Sequence, residues 1–185
     1  MAICLLQHPA QVRHLRRWWV ERHASPVDLG VPWWPYSVVA WLAGELTPGA
    51  RVVEFGAGGS TVWLAKLGAH VKAAEFHDEW ARRVREAAPS AIVIACPADS
   101  YPRLMHEEAD ATLDLVTVDG GDRVECVRCA LPKVRPGGLL LLDDSQFQDC
   151  APAIELLQSW ERRDFWGLKP SQLWPARTSV WRRPA

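Results

Sequence analysis

Two acids bracket a glycine turn near the middle of this chain. Residues 51–66 read Arg-Val-Val-Glu-Phe-Gly-Ala-Gly-Gly-Ser-Thr-Val-Trp-Leu-Ala-Lys: a short apolar run ending at Glu54, a loop with Gly56, Gly58 and Gly59, then a helical pattern. A strand turning tightly into a helix offers free backbone N–H groups to a small anion. Glycines there allow close ligand approach that a Cβ would obstruct. Glu75 follows about 20 residues beyond the loop, where a carboxylate can accept both hydroxyls of a ribose. The chemistry indicated is nucleotide binding. The fingerprint G-x-G-x-x-G is met except at its last position, Thr61, so a nicotinamide or flavin enzyme stays open on this segment alone.

A second set of acids, Asp119, Asp122, Asp143 and Asp144, closes the later apolar runs. Carboxylates there could take a proton from an acceptor or hold a hard divalent ion. Other constellations carry less. Cys126-Val-Arg-Cys129 has CxxC spacing inside a helical pattern with no second pair, so a core-facing pair is expected rather than zinc. The six histidines show no ligand spacing. His77, beside Glu75, reads as a surface-loop residue or as a base near an adenosine.

These residues need elements to carry them. Mostly continuous apolar runs at 51–55, 70–75, 91–95, 114–119 and 138–143 predict parallel strands buried on both faces. Between them lie helical patterns at 60–67, 79–88, near 101–108, and at 123–131. Such alternation predicts a parallel sheet with right-handed crossovers. Residues 8–23 predict an amphipathic helix with Val12, Leu15 and Trp19 on one face, followed by the link Val31-Pro-Trp-Trp-Pro-Tyr36 and a helical run to Leu46. After Asp144 a helix at about 150–163 is expected, then two strand-like stretches joined by a loop. Parallel neighbours need a long crossover, so one antiparallel strand is expected at the end of the sheet.

The segment from 51 to 182 resembles the class I S-adenosylmethionine-dependent methyltransferases. Four stretches in order carry the resemblance: Glu54-Phe-Gly-Ala-Gly-Gly-Ser60, Glu75, Asp114-Leu-Val-Thr-Val-Asp-Gly-Gly121, and Val134-Arg-Pro-Gly-Gly-Leu-Leu-Leu-Leu-Asp-Asp144. It implies a doubly wound α/β fold, with a mostly parallel seven-stranded sheet and helices on both faces. Residues 1–49 would be a helical extension and 50–185 the methyltransferase domain. It implies cofactor binding by Glu54, Gly56, Ala57, Gly58, Ser60, Glu75, Phe76, Asp99, Ser100 and Asp119. Glu54 would meet the cofactor ammonium directly or through water, Glu75 the ribose, and Asp99 the adenine amino group, with Ser100 beside it. Asp119 and Asp144 are the catalytic candidates. The metal-dependent catechol-type members carry an acid after the fourth strand and an Asp-Asn pair after the fifth. Here the pair is Asp143-Asp144, and the lysine those enzymes place three residues after the first acid is Asp122, so a metal such as Mg²⁺ is not favoured.

The expected activity is methyl transfer to a small-molecule acceptor, with oxygen preferred because no Asn-Pro-Pro-Tyr-like motif follows the fourth strand. The alternatives are a non-catalytic cofactor-binding or interaction protein of the same fold, and an NAD-dependent oxidoreductase. The latter would want a third loop glycine and a Tyr-Lys pair or a metal-bound histidine. A net charge of -1 gives no global attraction to nucleic acid or to an acidic membrane surface. No run approaches the roughly 20 apolar residues of a membrane span. Five cysteines and a start without a basic, apolar leader predict a cytoplasmic protein. A homodimer through the N-terminal helix is the one protein partner considered. Trp33-Trp34-Pro35-Tyr36 is expected to pack the first helices onto the sheet, the alternative being a cover over the cofactor or an acceptor pocket, and 170–177 is a second candidate for the substrate-side rim.

Overall fold

Continuous apolar strands need cover on both faces, and the chain supplies it with intervening helices. The computed structural model describes residues 9–172 and 174–185. Strands β1 (Arg51–Phe55), β2 (His70–Glu75), β3 (Ile92–Ala95), β4 (Leu113–Val118), β5 (Val134–Leu142), β6 (Glu161–Gly167) and β7 (Ala176–Arg182) form one sheet in the order β3-β2-β1-β4-β5-β7-β6. The first five pair in parallel, and β7 runs antiparallel between β5 and β6. The fold is therefore a mostly parallel, Rossmann-like sheet with its reversed strand near one edge, as the pattern predicts.

The helices are α1 (Leu15–Glu21), α2 (Pro26–Leu29), α3 (Tyr36–Glu45), α4 (Gly59–Lys66), α5 (Asp78–Ala87), α6 (Arg123–Ala130) and α7 (Ala151–Leu156). Side chains alternate across the sheet. Along β5, Leu140 and Leu142 join Phe55, Val118, Cys126 and Trp181 on one face. Leu139 and Leu141 join Val52, Leu64, Trp34 and Leu42 on the other. Helix α3, from the N-terminal extension, thus belongs to the core of the sheet, and Cys126 packs in the opposite layer.

Three local expectations are corrected. The N-terminal segment is a 3-10 turn over Pro9–His14 followed by α1, and of the expected inner face Val12, Leu15 and Trp19, Leu15 alone packs inward. Val12 and Trp19 are exposed, while Trp18 is buried against Tyr36 and Leu168. Trp18 wins because its indole N–H donates to the Gln172 carbonyl at 2.5 Å, and Trp19 instead lies under the Arg22 guanidinium. The stretch at 101–108 is a 3-10 segment, Ala98–Glu107, because Pro102 inside it cannot donate to an α-helical ladder. The helix expected at 150–163 ends at Leu156. Residues from Glu161 onward pair with β7 at seven positions, with Phe165 buried against Trp41 and a charged outer row, Glu161 to Asp164, along the sheet edge. Residues 1–8, including His8 at the start of the expected helix, and residue 173 in the expected rim lie outside the described residues.

Candidate functional site

The turn after β1 is built around Gly56. Its φ of 105° lies in a region that favours glycine, and a Cβ there would sit 3.3 Å from the backbone of Asp119. The ends of β1 and β4 are thereby held together, with the Asp119 N–H donating to the Phe55 carbonyl at 2.9 Å. The Trp80 indole N–H fixes the same turn through the Ala57 carbonyl at 2.8 Å, and the Gly58 N–H donates to the Thr61 hydroxyl at 3.0 Å. A Cβ on Gly59 would run into the carbonyls of Pro26 and Val31, so the N-terminal extension crosses directly over the start of α4.

At the carboxyl ends of the parallel strands lies a cavity of about 590 Å³. Its floor is the glycine turn (Gly56, Ala57, Gly58 and Ser60). One side is Glu75, Phe76, His77 and Trp80, and the other is Asp119, Arg123, Asp143 and Asp144. Pro26 and Trp33 from the extension and Gln172 from the β6–β7 connection complete the wall. Of the adjacent tryptophans, Trp34 is core and Trp33 faces the cavity.

Glu75 is buried at the end of β2 and accepts the His77 N–H at 2.9 Å. Burial pushes its pKa up, and backbone N–H groups of His77, Phe76 and Ala57 hold it partly down. Phe76 is exposed on the rim. Glu54 is fully buried behind the glycine turn and is not on the cavity wall. One of its oxygens, Oε1, accepts the Thr117 hydroxyl at 3.2 Å, and Oε2 has no partner among the described residues. Burial raises its pKa to about 7, against the pull of the nearby Thr61, Ser60 and Thr117 hydroxyls. Asp99 and Ser100 open the 3-10 segment, where the Ser100 hydroxyl donates to Asp99 at 3.2 Å, and neither reaches the cavity wall.

The second set of acids does converge. Carboxylate oxygens of Asp119, Asp143 and Asp144 lie within 4.8 Å of one another. Asp143 is buried, and its Oδ1 accepts the Thr178 hydroxyl. Asp144 has a φ of 52°, an uncommon left-handed conformation that ends β5 abruptly. Burial drives the Asp119 pKa well above its ordinary value; the Asp143 charge adds to this and Lys169 opposes it. Asp122 belongs elsewhere: it caps α6, accepting the N–H groups of Val124 and Glu125 at 3.1 Å.

Lys169 is the principal residue that sequence reasoning passed over. It is 1% exposed, and its ammonium lies 2.6 Å from Asp143 Oδ2 and 2.8 Å from Asp144 Oδ1. Nothing in its spacing announces this, since it comes from the β6–β7 connection rather than from the strand ends. The only signal is a lysine closing the otherwise apolar stretch Phe165-Trp-Gly-Leu. Arg123 was missed as well; its Nε is buried with no partner among the described residues.

Solved structures share this architecture. An S-adenosylmethionine-dependent O-methyltransferase from Thermotoga maritima superposes with a TM-score of 0.58 at 14% identity, over 80% of this chain and 64% of that one. This chain thus spans less than two thirds of that protein. An O-methyltransferase from Bacillus cereus in complex with S-adenosylhomocysteine gives 0.63 at 16% identity, over 85% of this chain and 80% of that one. An rRNA methylase from Streptococcus thermophilus gives 0.62 at 15% identity, over 81% and 96%. No curated protein matches the chain. The sequence model of a methyltransferase domain matches residues 53–145, half of the chain, from the glycine turn through the Asp143–Asp144 pair. On that match the chain belongs to the methyltransferase-domain family, and its fold is the one that the S-adenosylmethionine-dependent O-methyltransferase from Thermotoga maritima shares.

Proposed function

We propose that this protein transfers a methyl group from S-adenosylmethionine to a small-molecule acceptor, at oxygen, with Asp119 as the base. The carrying observation is that one cavity of about 590 Å³ joins the glycine turn and Glu75 to the Asp119 cluster. That volume falls within the range of about 300–1,000 Å³ typical of small-molecule sites.

The residues present fit the cofactor. The glycine turn is a cradle that a Cβ would fill, Glu75 is a buried acid suited to a ribose diol, and Glu54 Oε2 is a buried acceptor lacking a donor. Gly56, Ala57, Gly58 and Ser60 would hold the methionine and ribose portions, and Phe76 on the rim offers an aromatic face to the adenine. Bound there, the cofactor supplies a methyl group already activated by its sulfonium. The protein's part is alignment, exclusion of water and proton removal. A carboxylate whose pKa burial has raised is a stronger base than a free one, and Asp119 is that carboxylate on the wall. Asp144 beside it orients the acceptor.

Four described cysteines, Cys96, Cys126, Cys129 and Cys150, are free thiols, which supports the reading of a cytoplasmic protein. Among the described residues no helix is long and apolar enough to cross a membrane.

The test is calorimetric titration with S-adenosylhomocysteine and, in parallel, NAD. Binding of the first alone is expected, weakened at least about 100-fold in Glu75→Ala through the loss of two charge-assisted ribose hydrogen bonds. A panel of hydroxylated acceptors then gives methylated product. A folded protein that ignores S-adenosylhomocysteine would overturn the proposal.

A further inference from the structure

Three carboxylates meeting at the reacting end of the cavity form the kind of oxygen cage that a hard divalent ion occupies. In this chain a side chain already stands in it. The Lys169 ammonium bridges Asp143 Oδ2 and Asp144 Oδ1, which are two of the three acids that such an ion would need. It is held there from both sides along the chain. The Leu168 carbonyl accepts the Tyr36 N–H at 3.1 Å, and the Leu168 side chain is buried with Trp18 and Tyr36. Two residues past Lys169, the Ser171 hydroxyl lies within hydrogen-bond reach of the carbonyls of Glu21 and Ala24. Thr178 fixes the other oxygen of Asp143. These contacts hold the backbone on both sides of Lys169 against the N-terminal helices, and the lysine side chain itself is buried.

We infer that Lys169 is the resident cation of the Asp119–Asp143–Asp144 cluster, taking the place of a divalent metal and making the site metal-independent. The inference builds on the reading of this cluster as the acceptor end of a methyl-transfer site. An ammonium brings one positive charge and three donors. Two donors are used on Asp143 and Asp144, which leaves the third for Asp119 or for an acceptor oxygen. Lys169 acts through the carboxylates it holds: it keeps Asp143 and Asp144 paired beside Asp119. A divalent ion entering the same cage would face a buried, like-charged neighbour that is itself fixed in place. The site therefore excludes metals by occupancy, although its acids match a metal set.

Electron paramagnetic resonance of free Mn²⁺ tests this with no acceptor needed. Titrated into the intact protein, Mn²⁺ is expected to stay free. In Lys169→Ala the emptied cage is expected to bind it at least about tenfold more tightly, an effect comparable to removing or restoring one metal-site partner. Adding Asp143→Asn to that variant removes the gain. Mn²⁺ binding to the intact protein that Asp143→Asn abolishes would overturn the inference, as would a folded Lys169→Ala with no new affinity.

Two buried acids left without their cation could prevent Lys169→Ala from folding. In that event the side-chain ¹⁵N spectrum of the intact protein decides. A protected Lys169 ammonium signal unmoved by Mg²⁺ supports the inference, and one that shifts or vanishes on adding Mg²⁺ overturns it. S-adenosylhomocysteine binding, measured alongside, separates the two readings: its loss alone faults the methyl-transfer proposal and leaves the cation assignment standing.

Discussion

Glu54 makes the stability of the structure depend on pH. It lies in the middle of the sheet, paired in register with Ala73 on β2 and Thr117 on β4, fully buried, with Oε2 unpartnered. Its pKa rises from 4.5 to about 7 because the charged form is desolvated there. The unfolded chain releases this proton near 4.5, and the native chain keeps it until about 7. Across that window the native state binds more protons, so stability falls as pH rises. A displacement of this size corresponds to about 3 kcal/mol by pH 8 and about 1 kcal/mol at pH 5, at about 1.4 kcal/mol per unit. Glu54→Gln is uncharged at every pH and lacks this slope. Any packing offset of the amide is the same at both pH values, so the readout is a difference. Relative to the parent, the variant should gain about 2–3 kcal/mol more at pH 8 than at pH 5, measured by urea unfolding of the unliganded protein. In a thermal melt this corresponds to about 4–12 °C for a chain of this size. A gain or loss equal at both pH values would refute the reasoning.

The same acid predicts that ligand binding runs the other way. If an ammonium reaches Glu54, S-adenosylhomocysteine should bind about tenfold more tightly at pH 8 than at pH 6, with proton release at pH 6 in buffers of differing ionisation enthalpy; both should vanish in Glu54→Gln. Gly56→Ala places a Cβ in a backbone region that L-residues avoid, 3.3 Å from the Asp119 backbone. It should cost about 1–3 kcal/mol of stability by denaturant titration and weaken cofactor binding with it. Asp119→Asn should lower kcat about 10²–10⁴-fold for an acceptor found by screening, with S-adenosylhomocysteine affinity changed only a few-fold. A loss of affinity matching the loss of rate would assign Asp119 to the cofactor rather than to the acceptor.

Most of the sheet was legible because parallel strands buried on both faces leave continuous apolar runs, and β1, β2 and the glycine turn fall where those runs place them. The reversed strand followed from chain length alone, since too few residues separate the last two strands for a crossover. What failed was decided by tertiary partners. Neither helical periodicity nor propensity distinguishes Trp18 from Trp19; Tyr36 and the distant Leu168 and Gln172 carbonyl make the choice. The 150–163 run reads as helix until β7 offers its free edge. In the site, Glu75, Asp119 and the Asp143–Asp144 pair were legible because strand ends dictate where they point. Lys169 was not, because a buried lysine is recognised only by the acids around it, and Asp143 and Asp144 stand at the end of β5, 26 and 25 residues before it.

The N-terminal extension is what joins these two halves of the site. Its segment from Pro26 to Val31 lies so close to Gly59 that only glycine fits, which sets the height of the cavity wall above the turn. Its residues Trp18, Tyr36, Glu21 and Ala24 hold the β6–β7 connection on both sides of Lys169. The extension thus presses on the glycine-turn end of the cavity through Pro26 and Trp33 and flanks Lys169 beside the Asp119 cluster. A loop bearing a lysine would swing freely on the surface if unanchored, and an ammonium in water would not compete for buried carboxylates. Docked against Trp18, it becomes part of the sheet's interior, and the charge balance of Asp119, Asp143 and Asp144 becomes a property of the folded chain rather than of the solvent.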